Sequence, residues 1–412
     1  MTRRRRRSAA GRAVLTVVTA FGVLAGTAQA EAAPAGAVPA GRRIAPGVTY
    51  RQFDIDAAAG PARAHLVTVD LADPHVRVDL LHPGSVAARA TVSRLADSAG
   101  AVAGVNGDFF NITETQHPGV EATGAAVGPA VAAGEALKAA VPKGQRFGPS
   151  LPPGTDTLDV LGVGTDRRAR LDRLALAGSV STPEGELPLR GLNQYALAVG
   201  SVGAFTARWG SASRTRAVCG TDTQRSAPCS GDTHEVTVRD GRVVSATDAP
   251  GSGAIPADTT VLVGREEGAQ WLRKLSVGDP VDVTHTLVAA SSKVPYAFAI
   301  GGFPVLRGGT PLSGLDDVTS AVRTGVGLAG GGRQLLLLAL DGGAGYRTGT
   351  TVAEEAATLR ALGATDAFNL DGGGSTEMVT RDTGDTAVTV RNHPSGGAER
   401  PVPNGIGVFS TG

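Results

Sequence analysis

Two apolar runs near the C-terminus end alike. Leu335-Leu336-Leu337-Leu338-Ala339-Leu340 runs into Asp341-Gly342-Gly343, and Ala367-Phe368-Asn369-Leu370 runs into Asp371-Gly372-Gly373-Gly374-Ser375. The two aspartates are 30 residues apart, and a helical pattern fills the stretch between them. That spacing suits one β-α-β unit, with both acids at the carboxyl ends of parallel strands, where open α/β sheets build their sites. Glycines beside a carboxylate leave room for a ligand to approach it. The expected fold class is therefore α/β, an α+β mixed sheet.

Other elements can be read around this unit. Thr351-Val352-Ala353-Glu354 has the form of a capping box, Val352, Ala356, Leu359 and Leu362 recur at helical spacing, and Gly363 is the stop. Val322–Leu328 and Gln334–Leu340 flank three glycines and read as a hairpin. Upstream, His65–Asp70 and Val76–Leu81 alternate as strands around an Asp73-Pro74 turn, and Thr91–Ala99 reads as a helix closed by Gly100. Val102–Val105 is a short buried strand that delivers Asn106-Gly107-Asp108-Phe109-Phe110-Asn111. Residues 118–165 read as strands punctuated by Gly and Pro. Residues from about 166 to 290 are richer in Thr, Ser and Arg, with strand patterns at 234–239, 242–246 and 281–287 and a helical one at Trp271–Leu275. They read as a β-rich insert within one parent domain, 48–412.

The chain has 412 residues with 42% hydrophobic and 19% charged content, enough for a substantial core. A net charge of +1 gives no global field for nucleic acid. All basic residues but Lys138, Lys143, Lys274 and Lys293 are arginine, so an arginine is informative by position rather than by abundance. Arg3–Arg7, the apolar Ala13–Ala25 and Ala28-Gln29-Ala30 make residues 1–30 a signal peptide, followed by an Ala/Pro/Gly-rich linker over 31–47. The expected location is secreted or extracytoplasmic, with no stable membrane insertion after cleavage; Sec and Tat export are both open. In that setting Cys219 and Cys229 are expected to form one local disulfide.

The chemistry-bearing residues gather at strand ends. Asp341 and Asp371 could act as nucleophile, general base or substrate anchor, although Asp-Gly is also ordinary turn chemistry. Asn106 and Asp108 suit sugar hydroxyls or a hard cation with oxygen ligands. Arg323 and Arg400 are candidate anion anchors. No zinc-protease, Cys-x-x-Cys or Gly-x-Ser-x-Gly element is present, and Gly372-Gly373-Gly374 lacks the Lys of a phosphate loop.

In order along the chain stand Val105-Asn106-Gly107-Asp108-Phe109-Phe110, Ala299-Ile300-Gly301-Gly302-Phe303-Pro304, Arg323-Thr324-Gly325-Val326-Gly327, Leu340-Asp341-Gly342, Asn369-Leu370-Asp371-Gly372-Gly373-Gly374-Ser375-Thr376 and Arg400-Pro401-Val402-Pro403-Asn404. This set resembles the phosphodiester glycosidase family over roughly residues 60–410. The resemblance implies hydrolysis of a sugar-1-phosphodiester to free sugar and a phosphomonoester, with a phosphodiester-linked glycan as partner. It implies catalytic roles for Asp371, Asp341 and Asp108. It implies substrate or phosphate binding by Asn106, Gly302, Arg323, Ser375, Thr376, Arg400 and Asn404, and the Gly372-Gly373 backbone offers further N–H donors to an anion. No cofactor is required by the sequence, and the oxygen-rich rim admits a divalent cation. His393 departs from the residue often found at its place in the family. Two rival readings stay open: a non-catalytic module that binds envelope glycans, and a metal-dependent phosphodiesterase that cleaves the P–O bond. The sequence does not fix the sugar or the oligomeric state.

Overall fold

The structure is a computed structural model that describes residues 41–411. The expected signal peptide and most of the expected linker lie outside the described residues. The last linker residues do not: Arg42–Ala45 form a strand paired with Val48–Ala57, turned by Gly47 at φ 64° and anchored by the buried Ile44.

The described residues are far richer in strand than an α/β chain. They hold three α-helices, Val92–Ala99, Glu267–Leu272 and Val352–Ala361, against three sheets of eight, eleven and five strands. This corrects the α/β expectation. The Leu-rich strand Gln334–Leu340 does lead through helix Val352–Ala361 to strand Asp366–Asn369, as the spacing predicts. These two strands run parallel but are not neighbours. Strand Thr324–Ala329 lies between them, antiparallel to both, because the Gly330–Gly332 turn first folds it onto the Leu-rich strand. The Leu-rich strand's other neighbour, Gly60–Asp70, is antiparallel as well. An unbroken apolar run signals burial on both faces, and Leu335–Leu340 are all buried. It carries no information on the direction of the neighbouring strands.

The capping box is present with both bonds. The Thr351 hydroxyl accepts from the Glu354 N–H at 3.1 Å, and the Glu354 carboxylate accepts from the Thr351 N–H at 2.8 Å. The helix buries Val352, Glu355, Ala356 and Leu359 against the eight-stranded sheet.

The five-stranded sheet has strand Ala103–Asn106 at its centre, between Met378–Thr380 and Gly405–Ser410. The eleven-stranded sheet joins Asp159–Gly164, Tyr296–Gly301 and the Ala130–Lys138 hairpin to the strands between Ala169 and Ala289. Its ladders are antiparallel except for Gly185–Leu192 with Val202–Phe205. One apolar core runs through residues of all three sheets, from Leu66 and Leu337 through Val105 to Phe298 and Val263.

Candidate active site

Two sheets meet end to end at the site. Strand Ala103–Asn106 is wholly buried, and its last side chain crosses to the eight-stranded sheet. The Asn106 carboxamide donates to the Asp371 carbonyl at 2.7 Å and accepts from the Thr324 hydroxyl at 2.7 Å and the Glu377 N–H at 3.1 Å. The Asp371 N–H donates to the Gly107 carbonyl at 2.9 Å. Gly107 is required by close approach, since a Cβ there would lie 2.3 Å from Asn404 Oδ1. Asn404 in turn accepts from the Asp108 N–H at 3.0 Å.

Asp371 stands half-buried in a cleft of about 210 Å³. Phe109, Pro149, Val322, Arg323, Asn369 and Gly373 are among its other walls. Burial pushes the Asp371 carboxyl up to about 6. The Ser375 hydroxyl, the Gly372 N–H and the Arg400 charge oppose that rise, while the Asp108 charge adds to it.

Asp108 lies beneath, 2% exposed. Its Oδ2 accepts from the Gly128 N–H at 2.6 Å, and its buried Oδ1 has no partner among the described residues. Gly301 makes this burial feasible, because a Cβ on it would lie 2.4 Å from Asp108 Oδ2. Burial raises the Asp108 carboxyl and lowers the buried Lys138 ammonium, each stabilising the other's charge. Lys138 donates to the Val127, Gly128 and Ala139 carbonyls.

Arg323 is buried on the cleft wall. Its Nε donates to the Thr350 carbonyl and its Nη2 to the Thr319 carbonyl, both at 2.6 Å. Nη1 makes no hydrogen bond among the described residues and is the donor left for an anion. Arg400 packs over Gly374, where a Cβ would lie 2.4 Å from its Nη2, and donates to the Ser375 hydroxyl at 3.3 Å.

The sequence-selected residues thus divide. Arg323, Asp371, Gly372 and Gly373 line the cleft. Asn106, Ser375, Thr376, Arg400, Asp108 and Asn404 are not among the lining residues; Asn106 is bonded to the Asp371 carbonyl, and Asn106, Ser375 and Thr376 are buried. Gly302, at φ 153°, lets the backbone pass Asn369, whose carbonyl a Cβ would meet at 2.6 Å. Asp341 is not among the residues lining the cleft. It is buried and held by His65 and His393. The glycine N–H groups are also committed: Gly372 donates to Asp371 Oδ1 and Gly373 to the Val322 carbonyl. Arg323, by contrast, keeps one uncommitted donor at the cleft. Among the described residues no three His, Cys, Asp or Glu side chains form a group that could hold a metal ion.

Residues 232–409 match the phosphodiester glycosidase family. The matched stretch contains Arg323, Asp341, Asp371, Ser375, Arg400 and Asn404, whereas Asn106 and Asp108 precede it. No curated protein matches the chain. Solved structures share the fold. A hypothetical protein from Synechocystis superposes with a TM-score of 0.66 at 20% identity, over 89% of this chain and 62% of that one. This chain therefore spans less than two thirds of that relative. A putative exported protein from Burkholderia pseudomallei gives 0.65 at 24% identity, over 86% and 76%. The zebrafish N-acetylglucosamine-1-phosphodiester alpha-N-acetylglucosaminidase catalytic domain, auto-inhibited by its pro-peptide, gives 0.44 at 14% identity, over 90% and 87%.

Arg146, which no motif announces, packs on the cleft residue Phe109. It sits 4.8 Å from the Phe109 ring centroid and 5.7 Å from that of Phe303. Its buried Nη2 has no partner. Burial lowers it to about 10, against the charges of Asp108, Tyr195 and Asp371. Lys138 was missed as well. Its only trace in the sequence is compositional, a lysine in a chain that otherwise uses arginine.

The disulfide expected from sequence is formed between Cys219 and Cys229. Its loop braces the cleft from outside. Arg225 within it donates to the Arg146 carbonyl and lies 4.1 Å from the Phe147 ring centroid.

Proposed function

We propose that the protein hydrolyses a sugar-1-phosphodiester at the C1–O bond, releasing free sugar and a phosphomonoester. The observation that carries this reading is the placing of Asp371 and Arg323 on the walls of one cleft inside the segment that matches the phosphodiester glycosidase family. Asp371 faces the anomeric carbon, where a carboxylate stabilises the positive charge of an oxocarbenium-like transition state. Arg323 Nη1 and Arg400 neutralise the phosphate, with Arg146 adding positive charge from beneath. Phe109 and Pro149 offer the apolar surface that a sugar ring packs on. A phosphate leaving group is a weak base, so charge stabilisation matters more than protonation of the departing oxygen. Asp108 and Lys138 sit too deep to touch a ligand and hold the field at Asp371.

The setting that fits is extracytoplasmic, on envelope or extracellular glycans. The Cys219–Cys229 disulfide supports it. Among the described residues no helix is long and apolar enough to cross a membrane.

The test is incubation with a panel of sugar-1-phosphodiesters and analysis of products. Free sugar plus phosphomonoester is the expected result. Sugar-1-phosphate as product would mean P–O cleavage, and binding without turnover would mean a glycan-binding module; either overturns the reading.

A further inference from the structure

Asp341 is the hub of a hydrogen-bonded chain that runs from the half-buried Tyr50 through the buried His65 to the surface. The Tyr50 hydroxyl lies 2.9 Å from His65 Nδ1, and His65 Nε2 lies 3.2 Å from Asp341 Oδ2. His393 Nδ1 lies 2.9 Å from Asp341 Oδ2 and 3.2 Å from Oδ1. The Gly343 N–H donates to Oδ1 at 2.6 Å. The Asp341 side chain is 3% exposed and that of His393 is 79% exposed.

The protons in this chain can be placed. Burial opposes the ionised form of Asp341, but bonds from His393, Gly343 and His65 outweigh it and hold the carboxyl below its ordinary range. An ionised carboxylate only accepts, so both imidazoles donate to it. His65 then carries its proton on Nε2 and accepts the Tyr50 hydroxyl at Nδ1. It is a neutral ring, and burial lowers its pKa accordingly. His393 carries a proton on Nδ1. That leaves its Nε2 as a basic nitrogen facing outward, with no hydrogen bond among the described residues. A carboxylate behind one ring nitrogen fixes the tautomer and stabilises the cation formed when the other nitrogen takes a proton.

The segment bearing His393 is anchored beside the cleft and touches it through Ser395. Asn392 donates to the Thr376 carbonyl at 2.9 Å and the Leu340 carbonyl at 3.3 Å, and accepts from the Met378 N–H at 2.8 Å. The His393 carbonyl accepts from the Gly342 N–H at 2.8 Å. The Ser395 hydroxyl donates to the carbonyl of Gly373, a cleft residue, at 3.2 Å. Asn392 and the backbone therefore do the anchoring. The exposed imidazole has no structural task that would call for a buried Asp, a buried His and a Tyr behind it, and burying such polar groups is costly.

The geometry points to His393 as the general base of the hydrolysis, with Asp341 as its positioning residue. This rests on the reaction proposed above. Nε2 takes a proton from the attacking water while the water oxygen bonds to C1. The C1–O bond breaks, and its electron pair leaves on the phosphate oxygen. The imidazolium then gives the proton to the phosphomonoester or to bulk water and returns to the neutral form.

The experiment compares wild type, His393→Gly, His393→Gln and Asp341→Asn on a sugar-1-phosphodiester that the wild type splits. Both His393 variants should lose about 100-fold or more in kcat with little change in KM. Imidazole added to the buffer should restore His393→Gly but not His393→Gln, since only glycine leaves room for it. Nitrogen NMR of the His393 ring should show the Nδ1-protonated tautomer in wild type and its loss of dominance in Asp341→Asn. A wild type that splits no phosphodiester sinks the reaction and the base together. A wild type that turns over beside His393 variants within about twofold in kcat sinks the base alone. A loss carried by KM, or one that imidazole does not restore, overturns the base in favour of a binding role.

Discussion

Asn106 holds Asp371 by its carbonyl across 265 residues of sequence, at 2.7 Å, while its own carbonyl oxygen receives the Thr324 hydroxyl and the Glu377 N–H. One carboxamide thus fastens the end of one sheet to the Asp371 turn that follows a strand of another. The contacts at that turn need a donor and an acceptor from the same side chain, and the Asn carboxamide supplies them on two separate atoms.

Asn106→Asp separates these two duties. Aspartate still accepts from Thr324 and Glu377 but cannot donate to the Asp371 carbonyl when ionised. The variant should fold, and kcat/KM should fall by about 10- to 100-fold as Asp371 loses its tether. Asn106→Ala leaves three buried groups unpaired and should cost about 3 kcal/mol of stability, read from a urea midpoint. Full activity in the Asp variant would show that the tether does not matter to the reaction.

Asp371→Asn should abolish turnover while raising stability at neutral pH. Burial lifts the Asp371 carboxyl from an ordinary value near 4 to about 6. Between those values the folded state holds a proton that the unfolded state has released, so wild-type stability declines as pH rises through this window. Removing the group removes the decline, which amounts to at most about 3 kcal/mol at pH 7. Unfolding curves for both proteins at pH 4 and pH 7 test it: the variant should gain on wild type only at the higher pH.

Much of the site's frame could be read from the sequence. The Leu run is a strand, Thr351 and Glu354 close a capping box, the Gly330–Gly332 turn folds a hairpin, and Asn106 ends a buried strand. These are local signals, and local chemistry settles them. Strand direction was not legible, because residues buried on both faces look alike in parallel and antiparallel neighbours. Arg146 was hidden for a different reason. It comes from a stretch with no motif and reaches the site by packing on Phe109 and Phe303, a relation that exists only in three dimensions. His65 was masked by its position in an alternating strand, and only its contact with Asp341 gives it meaning. Helix Glu267–Leu272 shows the ordinary limit on boundaries, beginning four residues before the pattern at Trp271.

Glu355 should make stability depend on pH further up the scale. It is buried under the Arg323 strand with neither carboxylate oxygen bonded, and a Cβ on Gly325 would lie 2.1 Å from its Oε1. Burial pushes it up to about 8, with the Arg323 charge pulling the other way. The folded state therefore keeps the proton that the unfolded chain loses near pH 4.5, and stability contributed by this group is lost as pH rises to about 8. Glu355→Gln should flatten the melting temperature between those limits relative to wild type. A parallel pair of curves would mean that Glu355 is ionised throughout.

Arg323→Lys should be far from conservative. A lysine cannot reach the Thr350 and Thr319 carbonyls together and still present a third donor to the cleft. The expected loss in kcat/KM is about 100-fold or more, with retained folding by circular dichroism. Activity within about twofold of wild type would remove Arg323 from phosphate binding.

The disulfide should act on both stability and catalysis. Cys219 and Cys229 are 10 residues apart, and closing a loop of that size in the unfolded chain stabilises the fold by about 3 kcal/mol in the chain-entropy model. The same loop presents Arg225 to the Arg146 carbonyl and the Phe147 ring, while the buried Arg216 ties the loop's base to Gln145 at 3.0 Å and to the Cys219 carbonyl at 3.1 Å. Loosening the loop frees the segment that carries Arg146 under the cleft. A Cys219→Ser, Cys229→Ser double variant should therefore unfold at lower urea and lose activity even where it remains fully folded. If Arg146 supplies charge that favours the departing phosphate, the loss should fall mainly on kcat. An equal loss of stability with kcat unchanged would mean that the staple serves the fold alone.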